Sequence, residues 1–268
     1  MSHALPAPDD GRGLVVFLRG LTLDKSSWLP WAEHFNDNGY ESASLPWPGQ
    51  MQVGGVGEST RPVRYDAVRL GHLVSHAEEM LTALPRRPIA IGHGVGGLVV
   101  EALLNRGMLA AGVAIAPAPL DAAPSVQASL RAYRRLRCHL RCARRQEGFS
   151  RALFHQWYAS ETPRAGSDQL YDRYLAPVRV RGILRDAARQ PPPSGPGQRS
   201  PLLLLSGGRD RIAPEASISA HAWRLRKRYP DDATDQFVFP TRSHALVIDE
   251  GWPDVANHCL DWLASRDL

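Results

Sequence analysis

Cysteine is scarce. Three residues in 268 cannot build a disulfide framework, and the spacing Cys138-x3-Cys142 lacks the second ligand pair of a zinc site. No apolar run reaches the roughly 18 residues that span a bilayer, which excludes a transmembrane helix. The opening Met-Ser-His-Ala-Leu-Pro-Ala-Pro-Asp-Asp has no charged start followed by an apolar stretch. A secretory signal is therefore not expected, and a reduced, cytoplasmic setting is. No Walker loop is present, and neither a metal nor a cofactor is expected. Lysine is nearly missing: of 32 basic residues only Lys25 and Lys227 are lysines. An arginine bias of this kind is what a GC-rich genome imposes.

Hydrophobic residues make up 43% of the chain and charged residues 22%, an ordinary globular composition that excludes a disordered polypeptide. The length fits one domain, or one domain with an insertion. Net charge is +5 but unevenly placed. Residues 121–200 hold 15 arginines against 6 acids, a net of +9, and the rest carries −4. A global nucleic-acid binder is not distributed like this; a local anion-facing surface is.

Apolar runs ending in glycine or turn residues read as buried parallel strands at 14–18, 41–45, 88–91, 113–116, 202–205 and 236–239. Helical periodicity falls at 26–38, stopped by Gly39, at 66–84 with Asp66 as N-cap, at 98–104 and at 252–263. Alternating strands and helices predict an α/β fold with a mostly parallel sheet flanked by helices. About 80 residues without a strand signal separate the fourth and fifth strands. They carry helical, arginine-rich and aromatic stretches at 130–145, 149–158 and 170–176. Gln190-Pro-Pro-Pro-Ser-Gly-Pro-Gly197 leads back into the sheet. The predicted organisation is a core over 1–118 and 199–268 with an inserted helical lid over 119–198.

Five of the six strand ends carry a motif. Strand 14–18 ends in Arg19-Gly20-Leu21. Pro48-Gly49 closes the second strand. Gly92-His93-Gly94-Val95-Gly96-Gly97 follows the third. Ser206-Gly-Gly-Arg-Asp210 and Ser243-His244-Ala-Leu-Val-Ile-Asp249 follow the last two. In this order the motifs resemble those of the α/β-hydrolase-fold superfamily, of a compact bacterial type with a helical cap, from about Leu14 to Leu263. The resemblance implies that Asp210 and His244 are the acid and the histidine of the family's triad. It also implies that the backbone N–H groups of Leu21 and Val95 form the oxyanion hole, and that His93 supports the site from behind.

Two positions depart from that pattern. Where G-x-S-x-G places its serine, this chain has Gly94, and glycine cannot attack a carbonyl. Loss of the serine costs a hydrolase on the order of a million-fold in turnover. Ser26, Ser27, Ser243 and Cys259 are the other nucleophiles weighed; none sits at the elbow. The second departure is Arg19, where the family usually has histidine. It reads either as an anion-gripping guanidinium or as a structural arginine paired with Asp24 or Glu41.

A His–Asp pair is a general base without any serine, and a backbone oxyanion hole suits an enolate as well as an acyl intermediate. The resemblance implies that such members exist, some of them isomerising or epimerising with a broken triad. The expectation is therefore an enzyme of proton-abstraction chemistry on a carbonyl-containing small molecule or natural-product intermediate: isomerisation, epimerisation, cyclisation or lyase-type cleavage. Two alternatives stand beside it: a catalytically silent binding protein for an anionic ligand or acidic partner, and hydrolysis by water that His244 activates. Arg131, Arg134, Arg135, Arg137, Arg141, Arg144 and Arg145 form a helical stripe, read as a solvated face or as a surface for an anionic or carrier-bound substrate. Trp157 and Tyr158 are expected to line the lid and touch substrate. Nucleic acid and membrane are not expected partners.

Overall fold

The computed structural model describes residues 12–48, 63–64, 69–117, 150–176, 178–179, 199–230 and 233–268. Six strands form the main sheet: β1 (Leu14–Leu18), β2 (Glu41–Ser44), β4 (Ile89–His93), β5 (Ala111–Ile115), β7 (Leu202–Gly207) and β8 (Thr234–Phe239). Their order is β2-β1-β4-β5-β7-β8, and every pairing is parallel. The strands β1, β4, β5 and β7 are buried along their whole length. This is why they read as unbroken apolar runs rather than alternating ones.

The helices are α1 (Leu29–Asp37), α2 (Leu70–Thr82), α3 (Val95–Asn105), α4 (Arg151–Trp157), α5 (Arg164–Tyr174), α6 (Glu215–Arg228) and α7 (Trp252–Ala264). Neighbouring residues of β8 show which face each helix covers, because successive side chains point to opposite sides. Gln236 bonds Ser219 of α6, whereas Phe237 packs on His258 of α7. Glu101 of α3 meets His221 of α6 at 2.6 Å, and Trp31 of α1 meets Trp252 of α7. One layer therefore holds α3 and α6, and the other α1 and α7, around a buried sheet.

The main architecture follows the sequence expectation, with local differences. The helix expected over 26–38 is a 3-10 turn, Lys25–Trp28, running into α1, with Asp24 rather than a helical residue capping it. The helix expected from Asp66 starts at Leu70, with His72 Nδ1 accepting from the Arg69 N–H; Asp66 lies outside the described residues. The helix expected at 170–176 starts six residues earlier, directly after Pro163, which is its N-cap. A short strand β6 (Val178–Arg179) stands in the segment read as strandless; it pairs parallel with β3 (Val63–Arg64). Helix α6 was not expected: its buried positions Ser217, Ile218, Ala222 and Leu225 include a serine and an alanine and leave only a weak apolar stripe. Within the expected lid, α4, α5 and β6 are described. The arginine run 131–145, Cys138, Cys142, Gly49 and the proline-rich stretch 190–197 lie outside the described residues.

Candidate active site

The chain order places β2 on one side of β1 and β4 on the other. At such a reversal the loops leaving the two strands part and open a crevice at their carboxyl ends. β1 runs there into Arg19-Gly20-Leu21 and β4 into Gly94-Val95.

Gly94 sits in the turn between β4 and α3 at φ 56°, ψ −118°, a conformation that strains any residue with a side chain. Its N–H donates to the Ile115 carbonyl at 2.9 Å. The flanking glycines serve close packing. A Cβ on Gly92 would lie 2.3 Å from the Gly96 carbonyl oxygen, and one on Gly96 would lie 2.0 Å from that of Leu18. A Cβ on Gly94 would meet no such wall: it would stand 3.8 Å from His244 Nε2 and 4.0 Å from Gly20 Cα. The elbow is built, and its central side chain is missing.

His244 and Asp210 are joined. His244 Nδ1 lies 2.7 Å from Asp210 Oδ2, and both residues are buried. The other carboxylate oxygen, Oδ1, accepts the N–H groups of Ile212 at 2.7 Å and Ala213 at 2.8 Å, which fixes the carboxylate plane. A carboxylate only accepts, so Nδ1 carries the proton and Nε2 offers its lone pair toward Gly94.

The two loops that bring this pair together are stitched by backbone. Gly208 N–H donates to Phe239 O and Arg209 N–H to Arg242 O, both at 2.9 Å. Cβ atoms on Gly207 and Gly208 would lie 2.4 and 2.5 Å from the Arg242 and Pro240 carbonyl oxygens, so the approach requires both glycines. Trp31 of the α1 layer donates its indole N–H to Val247 O at 2.9 Å and braces the turn after His244.

His93 is buried behind the dyad. Its Nε2 is 3.1 Å from the His244 carbonyl, which makes Nε2 the protonated nitrogen. Burial, and next the charge of the neighbouring His244, push its pKa well below the ordinary histidine range, so it stays neutral.

Leu21 and Val95 are both buried, Leu21 in the loop that touches Gly94 and Val95 as the first residue of α3. There the helix leaves N–H groups without an intrahelical acceptor and presents a partial positive charge.

Arg19 is 2% exposed, and its guanidinium donates to the carbonyls of Gly20, at 3.4 Å, and Leu23. It also faces Asp24. Burial raises the pKa of that carboxyl, but hydrogen bonds from Ser26 and the Arg19 charge hold it below the usual carboxylate range. The carbonyls of Gly20 and Leu23 are hydrogen-bond partners of its guanidinium, and its charge acts on Asp24.

Ser26 and Ser27 are engaged with Asp24, through the Ser26 N–H and the Ser27 hydroxyl. Cys259 is buried in α7, and burial pushes its thiol far up, away from the reactive thiolate.

Of the two aromatic residues expected to touch substrate, both are buried, and Tyr158 reaches the dyad. Its ring stands edge-on to His244, with centroids 4.7 Å apart at 90°. The loop after β1 is tied by backbone to the end of α5. Asp24 N–H donates to Tyr174 O at 2.8 Å and Ala176 N–H to Thr22 O at 2.9 Å, closing an antiparallel bridge between Leu23 and Leu175. Sequence reasoning missed this tie, since backbone pairing across 150 residues leaves no local signal. It also passed over His72 and His76, four apart on α2. His76 Nε2 is 3.2 Å from Pro46 O, and no group of three or more His, Cys, Asp or Glu stands ready for an ion among the described residues. No described helix is long and apolar enough to cross a membrane.

Solved structures share this architecture at low identity. A monoacylglycerol lipase from Paleococcus ferrophilus superposes with a TM-score of 0.61 at 19% identity over 95% of both chains. A thermophilic esterase from Thermogutta terrifontis reaches 0.63 at 17%, over 95% of this chain and 90% of its own. A soluble variant of monoglyceride lipase from Saccharomyces cerevisiae reaches 0.60 at 16%, over 97% and 89%. No curated protein sequence matches the chain. The match that extends through the elbow, the Asp210 loop and the His244 loop is to a family: over residues 15–257 the sequence fits the alpha/beta hydrolase family, to which this chain belongs.

Proposed function

We propose that this chain is an enzyme of the alpha/beta hydrolase fold that works without a side-chain nucleophile. His244 is its general base, and Asp210 orients and stabilises the imidazolium. The observation that carries the reading is the pairing of an intact dyad with an empty elbow. Nδ1 is held at 2.7 Å by a fixed carboxylate, while Nε2 faces a residue that has no side chain. A carbonyl-containing small molecule seated there presents an acidic C–H to Nε2 and its oxygen to the Leu21 and Val95 amides. Removal of that proton leaves an enolate that the amides stabilise. Isomerisation, epimerisation, cyclisation and lyase-type cleavage all begin with this step.

A second reading has its own support. The structural relatives named above are lipases and esterases, and a water lodged where a serine hydroxyl would lie is a direct substrate for the same base. The two readings differ in what they predict for hydrolysis of 4-nitrophenyl acetate and butyrate. On the proton-abstraction reading the wild type and His244→Ala are inactive. Gly94→Ser then gains turnover, because a serine oxygen on that Cβ comes within about 3 Å of Nε2. The wild type should also exchange C–H for deuterium in candidate carbonyl compounds, and His244→Ala should not. Wild-type ester turnover lost in His244→Ala establishes the water mechanism instead. A binding protein gives neither turnover nor exchange, and His244→Ala then alters affinity alone.

A further inference from the structure

The helical segment delivers one polar side chain to the dyad. Tyr158 directly follows α4 and is 2% exposed. Its ring is clamped, stacked on Phe154 with centroids 4.9 Å apart at 13° and edge-on to His244. Its hydroxyl shares a hydrogen bond with the Thr22 side chain and stands 3.5 Å from His93 Nδ1. That nitrogen lies 3.0 Å from where a Cβ on Gly20 would be. Gly20 and Thr22 are the two neighbours of Leu21, so the phenol bonds one flank of the residue whose amide serves the oxyanion and stands one side chain, His93, away from the other. His93 holds its proton on Nε2, which leaves Nδ1 as an acceptor. An O···N contact of 3.5 Å is much longer than a strong hydrogen bond.

We propose that Tyr158 is a catalytic residue, its O–H the side-chain donor that joins the Leu21 and Val95 amides on the developing oxyanion. The inference rests on the general-base reading above. The step is balanced within the site. His244 Nε2 takes the proton from the carbon next to the carbonyl, and the C–H electron pair forms the C=C bond as the C=O pair moves onto oxygen. Tyr158 donates a hydrogen bond to that oxygen and keeps its proton. Return of the proton from His244 to carbon, on the same or another atom or face, restores the starting site with no outside reagent. Burial, and next the Asp210 charge, hold the phenol well above the ordinary tyrosine pKa, which keeps it a donor.

The test uses 4-nitrophenolate, whose charged oxygen mimics the enolate, and nitrobenzene, which has the same ring without that oxygen. Both are titrated into the full-length wild type and Tyr158→Phe, a change that preserves the ring and its contacts with Phe154 and His244. The expected result is a loss of about tenfold in affinity for 4-nitrophenolate and none for nitrobenzene, as for one hydrogen bond to a charged group. A wild-type preference for 4-nitrophenolate that survives in Tyr158→Phe overturns the tyrosine assignment alone. An equal loss for both probes overturns it too, since it would mark disturbed packing. A wild type that binds 4-nitrophenolate no better than nitrobenzene overturns the oxyanion site itself, and with it the reading on which the inference rests.

Discussion

Three glycines of the β4–α3 turn hold their places for different reasons, and alanine separates them. At Gly96 an added methyl would drive into the Leu18 carbonyl, and at Gly92 into the Gly96 carbonyl; both obstacles are backbone. Gly96→Ala is expected to cost more than about 4 kcal/mol in denaturant unfolding. At Gly94 the space is open and only the positive φ opposes a side chain, so Gly94→Ala should cost about 1–3 kcal/mol. Comparable losses at both positions would mean that the elbow is not built as described. At this scale much of the candidate site was legible. His244, Asp210 and Gly94 each stand in a short motif at a strand end, and chain order alone assembles them. Arg19 was not legible, because the choice between an external anion and the Leu23 carbonyl depends on where one guanidinium turns. Neither was the orientation of Tyr158 toward Thr22.

Among the elements, the bridge between the loop after β1 and the end of α5 is the least local and the most exposed to a single change. Proline at 176 removes the N–H that donates to Thr22 O. Ala176→Pro should speed amide hydrogen exchange at Asp24, whose N–H donates to Tyr174 O, and leave exchange in β5 and β7 unchanged. Unchanged exchange at Asp24 would show that packing alone seats α4 and α5. The same contrast explains which elements the sequence announces. Strands buried on both faces, such as Leu202–Gly207, show themselves as apolar runs. Helix α6 covers the sheet with Ser217 and Ala222 among its buried positions, and β3 and β6 are two residues each. Such elements exist because partners are present, and periodicity cannot register them.

For the molecule as a whole, two buried groups set opposite limits on the pH range of stability. His93 stays neutral when folded, with its pKa below the value of 6.5 it takes when exposed. As pH falls below 6.5, the unfolded chain binds a proton that the folded chain refuses, and stability drops by up to about 1.4 kcal/mol per pH unit from this group. Tyr158 stays protonated when folded, with its pKa above the value of 10.0 it takes when exposed. As pH rises past 10.0 the unfolded chain releases a proton that the folded chain keeps, and stability drops again. Their joint contribution is complete between these limits. Unfolding free energies measured across pH should show a weaker acid slope in His93→Asn and a weaker alkaline slope in Tyr158→Phe; unchanged slopes would place the losses elsewhere. The parallel sheet has a further consequence, one of timing. Two of its internal pairings join distant segments: Val15 pairs with Ile89, and Gly112 waits for Leu202. Such non-local topologies fold slowly. Asp210 and His244 both belong to the last quarter of the chain. During synthesis, therefore, the dyad that we propose as the base assembles only after β7 and β8 have both been made, and no nascent fragment that stops short of β8 carries it.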